Sequence, residues 1–454
     1  MYKFKIRQML PLLPTLFVMM LASLDAHSLE KQPASTYHAR RAALAEKLQG
    51  GAAIVFAGEE PVLDFMPYRQ DPDFYYLTGW NEPGAALLIL ANAPSAPQPR
   101  GYREVLFLPT RNLRTEKYTG IKLDAATPSA AKTAGVDEVL PMTDLSAQLN
   151  KLIAEDRRLA GNLWTQPDAP QAKALLGWTA TTLGVGSALP ALDVTSLTME
   201  LRLVKDAGEL MLLKKAADAS IAAQRVMMRS ARPGVTERAI AGKILSKLMD
   251  EGCERPSYSP IVGTGINSTT LHYSENSATL KDGDIMVVDA AGEYSMYASD
   301  ITRTVPVNGH FTARQREVYD VVLGAQRAAA AAFVAGKSTL NDPYHKDPNS
   351  LDTVAWTYIH DHGKGLHGEP LSDHWIHGLG HMVGIDVHDP SGYPAVLKPG
   401  MVFTIEPGVY IPEEKIGVRI EDVFVVGEDG KLTDLIAGLP HTAEDVEAAM
   451  RAEK

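Results

Sequence analysis

Apolar residues in the first third of the chain fall in short runs at 52–57, 85–90 and 105–108, bounded by Gly, Pro and Asn. Runs this short between breakers predict strands. Between them the spacing changes. Residues 38–48 read as a helix, with Ser35 or Thr36 near its cap and Gly50 and Gly51 closing it, and 145–155 is a further helical pattern. This alternation predicts an α/β amino-terminal domain over residues 35–195.

A second pattern starts near Arg202 and extends to residue 447. Asp206 and Glu209 form a capping box with Asp in place of Ser or Thr. The helix they open reaches about Ser230, where Arg232-Pro233-Gly234 stops it. Thr236 caps another helix that ends at Gly252. Thr312 and Gln315 open a third, rich in alanine, that ends at Gly336. Strand patterns separate these helices. Residues 337–369 are polar, with several Pro, Gly and His, and are expected to form an irregular insertion beside a site.

This second region repeats itself. Leu280-Lys281-Asp282-Gly283 leads to Asp289, and Leu397-Lys398-Pro399-Gly400 leads to Glu406, at a constant offset of 117 residues. Upstream, Gly263-Thr264-Gly265 precedes His272 and Gly378-Leu379-Gly380 precedes His388. Downstream, Gly292 and Tyr294 answer to Gly408 and Tyr410, and each copy carries a second acid, Asp300 or Glu421, in a strand-like segment. Two copies of one unit, each ending a strand with an acid, are expected to meet about a pseudo-two-fold axis.

Charge and composition narrow the function. A formal net charge of −11 argues against nucleic-acid binding, which needs clustered positive charge to neutralise phosphates. Lys3, Lys5 and Arg7 precede an apolar run over 9–24, and small residues follow at Ala26 and Ser28. That is the order of an export signal over residues 1–26, and Pro11 and Pro14 in the run favour it over a membrane anchor. No other stretch approaches the roughly 20 apolar residues of a spanning helix, so no stable span is expected after cleavage. The single cysteine, Cys253, cannot form an intrachain disulfide and reads as a packed thiol.

The acids carry the chemistry. Asp289 and Glu406 end apolar runs, and Asp300 and Glu421 sit among apolar neighbours. Carboxylates so placed are costly to bury unpaired, and four together repel one another unless positive charge is supplied. Two divalent cations balance them. Seven of the thirteen histidines lie between residues 360 and 388, and His377-Gly378-Leu379-Gly380-His381 sets an imidazole beside a glycine-rich turn where backbone and metal can approach closely. A mostly oxygen donor set with one imidazole suits Mn²⁺ better than a thiolate zinc site does. Such an ion pair supports metal-assisted hydrolysis.

Asp289, Ser299-Asp300-Ile301-Thr302-Arg303-Thr304, His377 to His381, Ile405-Glu406-Pro407-Gly408 and Arg419-Ile420-Glu421-Asp422 together resemble the five metal-ligand motifs of the pita-bread metallopeptidases. That family includes methionine aminopeptidase, prolidase, aminopeptidase P and creatinase. The resemblance covers residues from about 200 to 445 and implies an α+β pita-bread catalytic domain over 202–447. It implies that Asp289 and Asp300 bind one metal, with Asp300 bridging to a second, and that His381, Glu406 and Glu421 complete the pair, Glu421 bridging. It further implies Glu406 as general base, His272 as proton shuttle or substrate contact, and His388 as stabiliser of the oxyanion. His377, Tyr410 and Arg419 are the implied substrate-positioning groups.

The run Tyr68-Arg69-Gln70-Asp71-Pro72-Asp73-Phe74-Tyr75-Tyr76-Leu77-Thr78-Gly79-Trp80-Asn81-Glu82-Pro83 resembles the opening domain of the aminopeptidase P branch, which methionine aminopeptidases lack. The implied activity is removal of the first residue from peptides with proline second. An Xaa-Pro bond has no N–H on its nitrogen and restricts the residue before it, so ordinary peptidases fit it poorly. The rival within the family is an Xaa-Pro dipeptidase. The rival of another class is a metal-free binding protein, which the survival of all five ligands disfavours. Two Mn²⁺ ions, a homo-oligomer and a periplasmic or secreted location complete the expectation. For Asp73 two readings stand side by side: a residue that reaches an active site, as the resemblance implies and often that of a neighbouring subunit, or a turn residue before a strand.

Overall fold

A computed structural model describes residues 29–60, 68–91, 100–392 and 395–451. The expected export signal lies outside the described residues. No helix among the described residues is long and apolar enough to cross a membrane.

The amino-terminal part is a six-stranded mixed sheet in the order Glu138–Pro141, Tyr102–Leu108, Ala86–Ala91, Ala52–Phe56, Leu163–Thr165, Leu192–Asp193. Ala52–Phe56, Ala86–Ala91 and Tyr102–Leu108 run antiparallel, each to the next, and the outer strands join in parallel. The central strands read as unbroken apolar runs because both faces are covered. Ala53 and Val55 pack with Leu44 and Phe74, whereas Ile54 and Phe56 pack with Leu149 and Leu176. The first helix is Ala34–Lys47, several residues ahead of the expected start. Pro33 stands at its N-cap with no side-chain cap, so Ser35 and Thr36 lie inside the first turn.

The carboxy-terminal part is built twice. In the first copy Ile261–Thr264, Ile285–Asp289 and Thr302–Pro306 form an antiparallel sheet, and in the second Val402–Ile405, Asp422–Val426 and Leu432–Asp434 do so. Each copy lays a long helix across its sheet, Ala207–Ser230 and Ala313–Ala332, and both helices open with the expected capping boxes. Each helix plants a buried glutamine in the same way. Gln224 Nε2 donates to the carbonyls of Ala290 and Ile301, and Gln326 Nε2 to those of Ile405 and Ile420. The pseudo-two-fold repeat is therefore real in three dimensions.

Three expectations need correction. The stretch 337–369 is not simply irregular: it holds the helix Leu351–His362, which packs on Ala313–Ala332 as Glu237–Asp250 packs on Ala207–Ser230. The alanine-rich helix ends at Ala332, ahead of Gly336. Asp300 and Glu421 also lie between strands, not inside them, at the breaks before Thr302–Pro306 and Asp422–Val426. A break frees the carboxylate to face the space where the two sheets meet.

Candidate metal centre

That meeting is made by hydrogen bonds across the repeat. Glu421 N–H donates to Thr302 O at 3.1 Å, and Arg419 N–H to Thr304 Oγ1 at 3.1 Å. Asp289 and Asp300 come from the first copy and His381, Glu406 and Glu421 from the second. Their ligand atoms form two overlapping groups, Asp289 with Asp300 and Glu421, and His381 with Glu406 and Glu421, each within 4.8 Å. Glu421 belongs to both. The groups form the floor of a cavity of about 360 Å³ that His272, His377 and His388 also line.

Neighbouring side chains fix each ligand. His381 turns Nδ1 toward Met382 O at 3.1 Å, which leaves Nε2 facing Asp300 Oδ2 at 3.3 Å and Glu406 Oε1 at 3.5 Å. Thr404 Oγ1 accepts from His381 N–H and donates to Glu406 Oε1. Thr302 Oγ1 donates to Glu421 Oε2 at 2.7 Å. Tyr258 Oη reaches both Asp289 Oδ1 and Asp300 Oδ1 at 2.5 Å. Asn341 Oδ1 accepts from Leu379 N–H, and its amide donates to Gly380 O at 2.7 Å, clamping the turn between His377 and His381. Gly380 is needed for that turn because a Cβ there would lie 2.2 Å from Thr404 O. The close approach is backbone to backbone, a different use of the glycine from the one expected.

Tyr258, Thr404 and Asn341 had not been expected at the site. Thr404 stands two residues before Glu406, a spacing available to sequence reasoning. Tyr258 and Asn341 reach the site from loops and leave no periodic signal.

The electrostatics fit dications. Burial comes first and drives Glu421 well above the carboxylate range, with the Asp300, Glu406 and Asp289 charges adding to it. Burial also pushes Glu406 up to about 7; Asp300 and Asp289 push the same way, while His381 and Arg419 oppose them. Burial lowers His381, but Asp300 and Glu406 overcome this and raise it to about 9. This floor attracts positive charge, and hard oxygen donors with one imidazole are a donor set that divalent ions accept.

A second chain of bonds runs beside the ligands. Arg419 Nη2 donates to Asp289 Oδ2 at 2.7 Å and Nη1 to Tyr410 Oη at 2.9 Å. Tyr410 then meets His377 Nε2 at 2.9 Å, while His377 Nδ1 meets Gly378 O at 2.8 Å. Because a carbonyl only accepts, Nδ1 carries the proton and Nε2 accepts from Tyr410. Burial, then the Arg419 charge, lowers His377 to about 4, so the ring is neutral. Nine of the ten expected site residues thus line one cavity, and the tenth, Tyr410, bonds to His377 and Arg419 there. Asp73 does not line it: it sits in the helix Pro72–Thr78, not in a turn, and pairs with Arg202 at 2.8 Å.

Comparison with known proteins places this geometry. The model of Metallopeptidase family M24 matches residues 211–428, and that of the aminopeptidase P N-terminal domain matches 37–160. The Xaa-Pro aminopeptidase of Escherichia coli is 34% identical over 92% of this chain and 98% of its own length. The chain belongs to metallopeptidase family M24. Within the family, the Xaa-Pro aminopeptidase of Haemophilus influenzae is 32% identical over 92% of this chain and 98% of its own. Among solved structures, proline aminopeptidase P II from Yersinia pestis superposes with a TM-score of 0.80 at 33% identity, covering 93% of this chain and all of that one. The low-pH form of E. coli aminopeptidase P gives 0.81 at 32% identity.

Proposed function

We propose that this family member is an exported Xaa-Pro aminopeptidase that holds two divalent ions, preferably Mn²⁺, and removes the first residue from peptides with proline second. The observation that carries this is the overlap of the two ligand groups at Glu421, on the floor of a cavity walled by a neutral His377. Asp289, Asp300, His381, Glu406 and Glu421 would hold the ions. When bound, they polarise the scissile carbonyl and lower the pKa of the attacking water.

The remaining work falls to side chains. Glu406, at the cavity floor beside the ions, takes the water's proton and returns it to the proline nitrogen as that nitrogen leaves. His388 lines the cavity with its ring stacked 3.8 Å from that of His381, and it donates to the oxygen that turns negative. His272, which also lines the cavity, contacts the substrate or passes its proton. His377 has both nitrogens committed, so it offers a flat ring face to the proline ring, and Tyr410 and Arg419 hold it there.

Hydrolysis of Ala-Pro-Ala and Ala-Ala-Ala under added Mn²⁺ tests the specificity; equal rates would overturn it. Ala-Pro against Ala-Pro-Ala-Ala separates an aminopeptidase from a dipeptidase, since exclusive cleavage of the dipeptide contradicts the proposal. Metal analysis should return up to two equivalents, with hydrolysis lost to chelator and best restored by Mn²⁺. Amino-terminal sequencing of the mature protein tests cleavage after Ala26, and sedimentation tests the homo-oligomer.

A further inference from the structure

The loop that carries His388 is held from behind. Residues 382–389 are closed at the base by a bridge in which Asp389 N–H donates to Met382 O at 2.8 Å. His388 lines the cavity, while the neighbouring Asp389 side chain is 1% exposed and faces Arg202 and Lys205. Asp389 Oδ1 accepts from Arg202 Nη2 at 2.6 Å, and Oδ2 from Lys205 Nζ at 2.9 Å. Arg202 Nη2 also donates to Asp386 Oδ2 at 2.7 Å. Its Nη1 donates to Asp73 Oδ1 at 2.8 Å, in the amino-terminal domain. A second residue of that domain grips the same loop: Arg69 Nη2 donates to Ile385 O at 2.8 Å.

We propose that Asp389, held between Arg202 and Lys205 and tied through Arg202 to Asp73, is a positioning residue that sets the orientation of His388. The amino-terminal domain thereby tunes the catalytic loop of its own chain. A neutral loop resting on van der Waals contacts alone would let the imidazole swing. Here two buried cations fix both carboxylate oxygens of the next residue, and a third contact fixes the backbone before it. A displacement of about 1 Å in a catalytic donor can cost on the order of 100-fold in rate, so such bracing matters to turnover. The proposal rests on His388 acting on the substrate.

The test is a double-mutant cycle in the metal-loaded full chain, pairing Asp73→Asn with His388→Ala. Asp73→Asn keeps the side chain's shape and removes one of the three carboxylate charges that hold Arg202, the one from the amino-terminal domain. It is expected to lower kcat about tenfold with KM within about twofold and bound metal unchanged. In the His388→Ala background it should change nothing further. Amide hydrogen exchange in peptides spanning 382–389 should quicken in the single variant. An equal loss of kcat in both backgrounds, or no loss in either, overturns the proposal. If His388→Ala itself leaves kcat intact, the catalytic assignment of His388 fails instead. Arg69→Met, at a partly exposed side chain, gives the same readouts if Asp73→Asn does not fold.

Discussion

At the scale of single residues, buried charge is the governing quantity. Tyr258 touches both acids of the first copy with one hydroxyl, so it orients ligands without being one. Tyr258→Phe should therefore weaken Mn²⁺ binding about 10–100-fold, measured by calorimetric titration, while the fold persists. On the proposed mechanism Glu406 carries the proton, so Glu406→Gln should lower kcat about 100-fold or more. Retention of wild-type kcat would remove Glu406 from the mechanism. Asp389 behaves in the opposite sense from the ligands. Burial tends to raise it, but the Lys205 and Arg202 charges outweigh burial and hold it below its ordinary value. A carboxylate lowered by folding stabilises the fold above its unfolded pKa of about 3.9, and that contribution fades as pH falls toward the folded value. Asp389→Asn should thus lower stability at pH 7 by on the order of 3 kcal/mol, with the gap to wild type narrowing below about pH 4 in a melting series.

At the scale of elements, the repeated unit explains what could be read in advance and what could not. The capping boxes at Asp206 and Thr312 are local, four-residue chemistry, and both helices start where those residues stand. The strand ends at Asp289 and Glu406 are equally local, an apolar run stopped by an acid. The helix Leu351–His362 escaped because its buried face, Leu351, Ala355 and Ile359, sits in a polar histidine-bearing stretch, and packing on its neighbour supplies its stability. The duplication itself demanded that helix, since Glu237–Asp250 already had no other counterpart. Asp73 was left open because its partner, Arg202, is 129 residues away and no local pattern links them. The paired glutamines make a further element-scale prediction. Gln224→Leu and Gln326→Leu each strip a buried amide from two carbonyls and should cost about 1–3 kcal/mol by urea unfolding. The second should cost more, because Gln326 also donates to the buried Asp422.

At the scale of the whole molecule, the ions would clamp the two copies together, because each ligand group draws on Glu421 and the first group spans both copies. Binding to the folded state alone stabilises it by about 2.7 kcal/mol at one hundred times Kd for one site. The melting temperature should therefore climb with the logarithm of Mn²⁺ concentration and drop on chelation; a flat response would contradict a site shared between the copies. The order of the ligands along the chain has a consequence for synthesis. Asp289 and Asp300 leave the ribosome well before Glu406 and Glu421, so a growing chain carries only an incomplete nest of oxygens until the second copy follows the first. A nascent polypeptide of this design should stay catalytically silent, with no paired ions, until both copies have been made.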